Sequence, residues 1–171
     1  DPELREVAPG EVGEICVRGP LLMAGYLNRA EETAQALAGD WLHTGDMARM
    51  DAEGFIYLVD RAKDMIISGG FNVYSSEVEA CLAQHPGVAV SAVIGVPHAK
   101  WGEAVMAVVV RKEGAAVEAG ELTAFVAARK GSVMAPKSVA FVDTLPLTAI
   151  GKVDKKAIRA TYWRELDRQI A

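Results

Sequence analysis

The stretch LPLTAIGKVDKK (145–156) contains a Gly-Lys pair of the kind that often handles phosphate groups. The pair, Gly151 and Lys152, lies between an apolar run and a predicted helix. A P-loop requires Gly-x4-Gly-Lys followed by Ser or Thr, because the first glycine opens the loop and the hydroxyl holds Mg²⁺. Here Pro146 stands at the first glycine position and Val153 follows the lysine. The sequence therefore excludes a P-loop, and Lys152 needs another role.

Two further stretches, WLHTGD (41–46) and DRAKD (60–64), place charged residues where a nucleotide could be held. A Thr-Gly-Asp turn in the first presents the carboxylate of Asp46, a good acceptor for paired sugar hydroxyls. Taken alone, it is better explained as an ordinary Asx-type turn before a strand. Arg61 and Lys63 in the second suit a ribose or a phosphate, although a solvated charged linker is the simpler explanation.

The stretches ISGGFN (67–72) and KWG (100–102) combine glycine with an aromatic residue. Gly69 and Gly70 let a ligand approach the backbone closely, and a tight hairpin turn explains them equally well. Trp101 can stack on an adenine ring if it is exposed. If it is buried, it belongs to the core, which is the commoner fate of tryptophan.

The apolar pattern predicts a β-rich first part followed by a mixed second part. Strands are predicted at 13–19 and 54–60, with a short helix at 30–39 between them. Beyond residue 60, DMIISGG and FNVYSS predict two short strands joined at the glycine pair. Ser76 with Glu79 three residues later predicts a capping box at the start of a helix.

The rest of the second part alternates strands and helices. Predicted are apolar strands at 88–96 and 103–112, a helix at 120–131 capped by Gly131, a strand at 138–143, and a final helix that begins after Asp154 and carries Ile158, Tyr162 and Leu166. This alternation predicts a small mixed α/β (α+β) domain with a central three-stranded sheet, a short two-stranded element and flanking helices. The charged stretch 60–64 marks the domain boundary.

Composition and charge narrow the classes of partner. The chain is 51% hydrophobic and 24% charged, as globular proteins are, and its net charge of −5 argues against nucleic acid. No apolar run approaches the roughly 20 residues of a membrane helix. Cys16 and Cys81 share no metal-ligand spacing with the histidines, so we expect buried thiols, no metal site and a cytoplasmic protein. Because the chain begins at DPELREVAPGE without Met, we expect either an excised piece of something longer or processing.

In their order and spacing, these stretches resemble the adenylate-forming superfamily of acyl- and aryl-CoA synthetases, luciferases and peptide-synthetase adenylation domains. GEICVRGPLLMAGYLN is similar to the family's Gly-Glu to Gly-Tyr segment, and GDWLHTGD to its Thr-Gly-Asp motif. DRAKDMIISGGFNVYSSEVE resembles its hinge motif, and LPLTAIGKVDK its Pro-x4-Gly-Lys motif. The resemblance extends over nearly the whole chain. MIISGGFNVYSSEVE and KWGEAV resemble AMP-forming acyl- or aryl-CoA synthetases in particular.

The resemblance implies a C-terminal fragment of an AMP-forming acid–thiol ligase, of the fatty-acid–CoA ligase type. Such an enzyme adenylates a carboxylic acid with ATP and then forms the CoA thioester. Residues 1–62 would be the β-rich end of the large AMP-binding domain, and 63–171 the small mobile C-terminal domain, with the hinge at about residue 63. Nothing matches the family's phosphate loop or acyl pocket, so we expect the fragment alone to be inactive. The missing N-terminal domain is then a partner within the same chain and binds Mg²⁺ with ATP.

The resemblance also implies roles for individual residues. Lys152 would be catalytic, bridging the substrate carboxylate and the α-phosphate from a mobile loop. Asp46 would accept hydrogen bonds from the ribose hydroxyls, Arg61 would contact the ribose or a phosphate, and Lys63 would be the hinge. Lys152 further resembles a lysine that protein acetyltransferases modify in relatives, which makes an acetyltransferase an expected partner.

For the CoA step, Gly69 and Gly70 match the backbone that lines the pantetheine tunnel. Asn72 would face AMP, and Trp101 matches an aromatic that stacks near the CoA nucleotide in some aryl-CoA ligases. The segment MAPKSV departs from the pattern, because a Met-Ala pair stands where many relatives have an aromatic-Lys pair. The contact of Lys137 with a CoA phosphate therefore stays open.

Three alternatives remain. The parent protein could be an aryl-CoA ligase, an adenylation domain that loads a carrier protein, or a non-catalytic interaction module that kept the fold. Intact Lys152, Asp46 and Arg61 argue against the module, because it would need none of them. Fatty, aromatic and short branched acids all remain open as substrates.

Overall fold

The computed structural model describes residues 1–170, with side chains as far as Trp163. The chain divides into two compact units, Asp1–Lys63 and Asp64–Ala171. Among the described residues, every helix is too short or too polar to cross a membrane.

The first unit is an antiparallel sheet with little core of its own. Its elements are β1 (Val12–Val17), α1 (Ala30–Ala36), a 3-10 turn (Ala38–Asp40), β2 (Leu42–Met50) and β3 (Ile56–Arg61), with strand order β1-β2-β3. Within residues 1–63, all of which are described, Ala48 is the only buried residue. Ile56, Tyr57 and Leu58 are 59%, 49% and 70% exposed. Since neighbouring strand residues point to opposite faces, β3 is open on both faces within this unit.

The second unit is the predicted mixed α/β domain, and its fold class is confirmed. Its elements are a 3-10 turn (Ala62–Asp64, shared with the first unit), β4 (Ile66–Ser68), β5 (Phe71–Val73), α2 (Ser75–Leu82), β6 (Val88–His98), β7 (Gly102–Arg111), α3 (Ala119–Lys130), β8 (Ser138–Phe141) and α4 (Lys155–Ile170). The long strands β6 and β7 are antiparallel, and β8 runs parallel to β7. The predicted two-stranded element, β4 with β5, joins this central sheet through a single pair, Ser68 with Gly102.

Both faces of the central strands are covered, which explains their near-continuous apolar sequence. Alternate residues enter two separate buried clusters, with Val93 in one and Ile94 in the other. The first cluster includes Leu82 of α2 and Leu122 of α3, so these two helices cover one face. The second includes Ile158 of α4, which covers the opposite face. The predicted apolar stripe of α2 (Val78, Cys81 and Leu82) is also buried.

The predicted capping box at α2 is wrong. The helix begins at Ser75, so Ser76 lies inside it, and Tyr74 at the N-cap position makes no capping hydrogen bond through its side chain. Glu79 instead turns to the sheet, where its Oε1 accepts the backbone N–H of Val93 at 2.7 Å and pairs with Lys155 at 2.8 Å. The Glu79 carboxylate therefore binds residues distant in the sequence, Val93 and Lys155, although the local pattern predicted that it would cap the helix start.

The other two predicted caps are confirmed. Gly131 follows α3 with φ +87°, and its N–H donates to the carbonyl of Ala127. Asp154 precedes α4, and its Oδ1 accepts the N–H of Ala157 at 3.0 Å. Of the apolar residues predicted for α4, Ile158 is buried, whereas the side chain of Leu166 lies outside the described residues.

Candidate functional site

Lys152 lies in a tight hairpin that the chain closes on itself. Leu147 and Val153 form an isolated antiparallel bridge at its base. Inside it, the N–H of Thr148 donates to the carbonyl of Lys152 at 2.7 Å, and the N–H of Lys152 donates to the hydroxyl of Thr148 at 3.2 Å. Gly151 has φ +78°, a conformation that glycine adopts without strain. The Gly-Lys sequence therefore makes a turn that presents the lysine.

Lys152 and Lys155 differ in what their ammonium groups contact. Lys152 is exposed, and among the described residues its ammonium makes no hydrogen bond or ion pair. Lys155 is only 16% exposed and donates to Glu79 and to the hydroxyl of Ser75, each at 2.8 Å. Lys155 thus fixes the start of α4, while Lys152 keeps its charge available. Sequence reasoning missed Lys155, because its partners are more than 70 residues away.

A cleft of about 250 Å³ opens beside the glycine pair. Its lining residues are Ser68, Gly69, Phe71, Trp101, Ser132, Val133 and Lys137. Gly69 (φ +59°) and Gly70 (φ +84°) turn the β4–β5 hairpin, and the N–H of Gly69 donates to the carbonyl of Trp101 at 2.9 Å. A Cβ added to Gly69 would lie 3.5 Å from Cδ1 of Trp101. The predicted hairpin turn is therefore present.

Trp101 is both part of the core and exposed to the cleft, the two positions that its sequence left open. It is half-buried, packs partly against the second core cluster, and also lines the cleft. The ring of His98 stacks on it, with centroids 4.2 Å apart and planes at 15°. The ammonium groups of Lys137 and Lys100 lie 5.5 and 5.8 Å from its ring centroid. Lys137 also donates to the carbonyl of Ser132. The aromatic-cationic group is suited to a planar base carrying phosphate.

Asn72 stands apart from the cleft lining. It is exposed on β5, where it pairs with Ile67 across the hairpin. Glu103, which sequence reasoning did not single out, accepts the N–H of Ile67 at 2.8 Å. A Cβ on Gly95 would lie 2.9 Å from the Glu103 carboxylate, so the bare glycine leaves room for this contact.

Asp46 and Arg61, both in the first unit, are brought together. They are register partners on β2 and β3, and Arg61 Nε donates to Asp46 Oδ1 at 2.7 Å. The predicted Thr-Gly-Asp turn is wrong, because the three residues lie within β2 at an irregularity in its pairing with β1. Gly45 has φ +72° there. Thr44 bridges the irregularity: its hydroxyl donates to the carbonyl of Ile15 at 2.8 Å and accepts the N–H of Asp46 at 3.1 Å.

Residues 77–152 match the family model of the AMP-binding enzyme C-terminal domain. This chain carries an AMP-binding enzyme C-terminal domain over those residues. It is 55% identical to the medium/long-chain-fatty-acid–CoA ligase of Mycobacterium tuberculosis (strain ATCC 25618 / H37Rv), covering 97% of this chain and 30% of that protein. It is 48% identical to a feruloyl-CoA synthase of an Amycolatopsis species, covering 94% of this chain and 33% of the relative.

The fold of this chain also matches solved structures. It superposes on ATP-bound MatB from Rhodopseudomonas palustris with a TM-score of 0.86 at 41% identity, covering 93% of this chain and 32% of that one. The chain therefore spans about a third of the length of the relatives it matches.

Lys63 is exposed within the 3-10 turn at the division between the two units of the chain. The next residue, Asp64, is firmly held: its Oδ1 accepts Nη2 of Arg159 at 2.5 Å, and the two side chains are 13% and 21% exposed. The contact attaches the residue after Lys63 to α4, the helix that follows the Lys152 hairpin. Sequence reasoning missed this pair, since 95 residues separate its members.

Glu14, whose carboxylate contacts the Thr-Gly-Asp segment, was also not singled out from the sequence. Glu14 Oε1 accepts the N–H of Gly45 at 2.9 Å, and its Oε2 lies 2.7 Å from Nδ1 of His43. Cys16 Sγ is 3.7 Å from the same nitrogen. Burial, and secondarily the charge of Glu14, raise the pKa of the Cys16 thiol. The spacing along the chain could not indicate this group, because its members meet across two strands.

Proposed function

We propose that the chain is the C-terminal part of an AMP-forming acyl-CoA synthetase. In this proposal, residues 1–62 end the large AMP-binding domain, and 63–171 are the small mobile domain that turns on Lys63. The near absence of a core in the first unit supports this assignment, since β3 leaves apolar side chains exposed on both faces. The activity then belongs to the whole parent protein, and the isolated chain is inactive.

The observation that carries the proposal is the exposed ammonium of Lys152 on a closed hairpin, which has no ion-pair partner among the described residues. In adenylation, a carboxylate oxygen of the acid attacks the α-phosphorus of ATP, and pyrophosphate leaves with the bonding electron pair. Two anions must approach each other, and a lysine charge placed between them lowers that repulsion in the transition state. The ammonium of Lys155 is held by Glu79 and Ser75, whereas Lys152 is the lysine that the hairpin itself presents.

The Asp46–Arg61 pair supports a ribose site in the first unit. A carboxylate can accept two hydroxyl donors, and an arginine on one of its oxygens fixes its orientation. Arg61 is 55% exposed, which leaves its remaining donors available for a ribose or a phosphate. Lys63 acts through its backbone, as a hinge does, while the pair Asp64–Arg159 anchors the neighbouring residue.

The cleft at Gly69 supports the second step. The CoA thiolate attacks the acyl carbonyl, and AMP leaves. Gly69 and Gly70 keep the hairpin free of side chains where pantetheine would pass, and Trp101 with Lys137 offers a base-stacking face beside a positive charge. Asn72, exposed on the next strand, is assigned to AMP on resemblance alone. Mg²⁺ is assigned to the part of the parent protein outside this chain.

The acid is proposed to be a fatty acid, since a relative at 55% identity is named a medium/long-chain-fatty-acid–CoA ligase. An aromatic acid is the second candidate, supported by the 48% identity to a feruloyl-CoA synthase. Carrier-protein loading and a non-catalytic module are the remaining alternatives. The proposal includes a cytoplasmic location, which suits the free thiols Cys16 and Cys81.

The proposal also includes an acetyltransferase as a partner that modifies Lys152. The exposed position of Lys152 suits modification by a second enzyme. Acetylation would remove the charge that adenylation uses and would thereby switch off the first step.

The test uses the parent protein with ATP, Mg²⁺ and a pool of carboxylic acids, and follows AMP release with and without CoA. CoA-dependent AMP release is the expected result, and dividing the pool then identifies the acid. Pyrophosphate exchange without CoA-dependent turnover would favour carrier-protein loading. Absence of both would overturn the enzyme assignment in favour of an interaction module.

A further inference from the structure

Glu14, Cys16 and His43 form a group of ligand-type side chains in the first unit. One ligand atom from each lies within 4.8 Å of the other two. The strands produce this arrangement, because Glu14 and Cys16 are two residues apart on β1 and His43 is the register partner of Cys16 on β2. Alternation along a strand puts positions i and i+2 on one face, and a directly opposed residue projects on the same face.

We propose that these three side chains form a binding site for a borderline-soft divalent cation of the zinc type. A thiolate, an imidazole and a carboxylate are all zinc ligands, and the thiolate disfavours Mg²⁺ and Ca²⁺. Tetrahedral zinc bonds of about 2.0–2.3 Å imply ligand-to-ligand distances of about 3.4–3.6 Å. The Cys16–His43 separation of 3.7 Å is close to that value, and the His43–Glu14 separation of 2.7 Å would widen by less than about 1 Å.

The contacts of His43 orient it for this role. Its Nε2 lies 3.3 Å from the carbonyl of Ala38, an acceptor for a proton on Nε2. In the metal-free chain, Nδ1 lies 2.7 Å from Glu14 Oε2, and because a carboxylate only accepts, Nδ1–H donates this hydrogen bond. A cation at the site would take the place of that proton, and the neutral ring would then carry its proton on Nε2, facing the carbonyl of Ala38. A metal-binding histidine commonly donates its other nitrogen in this way.

The site has room for a further ligand. Glu14 and Cys16 line a cavity of about 390 Å³ together with Gly13 and Trp41. Three protein ligands and one water from this cavity would complete four-coordination. Glu14 can bind through Oε2 while Oε1 keeps the N–H of Gly45, so metal binding would leave the Thr-Gly-Asp segment in place. On binding, the Cys16 thiol loses its proton to solvent, so one proton is released per ion.

The experiment titrates the parent protein with Co²⁺, a spectroscopic substitute for Zn²⁺, because the first unit has little core of its own. One equivalent should produce a thiolate-to-cobalt charge-transfer band in the near ultraviolet and release one proton. Zn²⁺ should abolish the band, and a large excess of Mg²⁺ should leave it unchanged.

Two cysteine variants assign the site. Cys16→Ser should lose the band and lower Zn²⁺ affinity by more than about 100-fold, since even outer-shell partners change affinity by about 10–100-fold. Cys81→Ala is the matched control, because Cys81 is a buried thiol in the second unit, and it should keep the band. His43→Gln should weaken the band without removing cysteine. Binding of Co²⁺ by the unsubstituted parent protein with no charge-transfer band, or a band kept by Cys16→Ser, would overturn the proposal. These outcomes do not depend on the acyl-CoA synthetase assignment.

Discussion

Gly69→Ala separates backbone strain from steric conflict at the cleft. Gly69 has φ +59°, in the left-handed region that costs an L-residue about 1–2 kcal/mol. The new Cβ would lie 3.5 Å from Cδ1 of Trp101, an ordinary van der Waals distance, so no clash adds to this cost. We therefore expect the free energy of unfolding of the second unit to fall by about 1–2 kcal/mol. Urea unfolding followed by tryptophan fluorescence measures it.

Gly120→Ala is the matched control. Gly120 is helical, in α3, and a Cβ there would meet nothing within 4 Å. The same substitution should therefore raise the free energy of unfolding by about 0.5–1 kcal/mol. In the parent protein, Gly69→Ala should also slow thioester formation more than adenylation, because the methyl group narrows the cleft. Equal stability of Gly69→Ala and the unsubstituted chain would refute the strain argument.

Three further substitutions test other contacts. Asp154→Ala removes the cap of α4 and should lower the free energy of unfolding by about 0.5–2 kcal/mol in urea titrations. Glu79→Gln keeps a hydrogen-bond acceptor but removes the charge paired with Lys155, and should cost about 1–2 kcal/mol in the same assay. The backbone N–H of Phe55 is the main cause of the lowered pKa of Asp51. A carboxyl whose pKa is lowered by folding stabilises the folded state above its ordinary pKa, and this stabilisation is lost as pH falls through the lowered value. The melting temperature of Asp51→Asn should therefore fall less on acidification than that of the unsubstituted chain.

Each of these predictions has an outcome that contradicts it. Asp154→Asn should be nearly neutral, since asparagine caps as well as aspartate, and a loss equal to that of Asp154→Ala would exclude capping as the cause. If Glu79→Gln leaves the free energy of unfolding unchanged, the charge of Glu79 contributes nothing to its contact with Lys155. If the melting temperatures of Asp51→Asn and the unsubstituted chain fall equally on acidification, Asp51 does not contribute to the loss of stability in acid.

Local signals predicted most of the second unit. The glycine after α3 has the positive φ that ends a helix, and Asp154 has the acceptor that starts one, so both boundaries follow from a few adjacent residues. The apolar runs of β6 and β7 reflect burial on two faces, which the sequence records directly. These features depend on neighbours within one element.

Features that depend on distant partners were missed or wrong. Ser76 and Glu79 have capping-box spacing, yet Glu79 is used by Val93 and Lys155 from other elements. The Thr-Gly-Asp segment has turn composition, but it lies within β2, at an irregularity in the pairing with β1, and Asp46 pairs with Arg61 of β3. Cys16 and His43 are separated by 27 residues, and only the register of two strands brings them together. Sequence spacing carries no information about such register.

The most direct measurement of the central claim compares the two half-reactions of the parent protein after Lys152→Met. Lys156→Met is the matched control, because Lys156 is also exposed and lies four residues along the chain. ATP–pyrophosphate exchange should fall by about 10²–10³ in Lys152→Met and stay unchanged in Lys156→Met. Thioester formation from preformed acyl-adenylate should survive both substitutions. Equal loss of the two half-reactions in Lys152→Met, or unchanged exchange, would contradict the role assigned to this lysine.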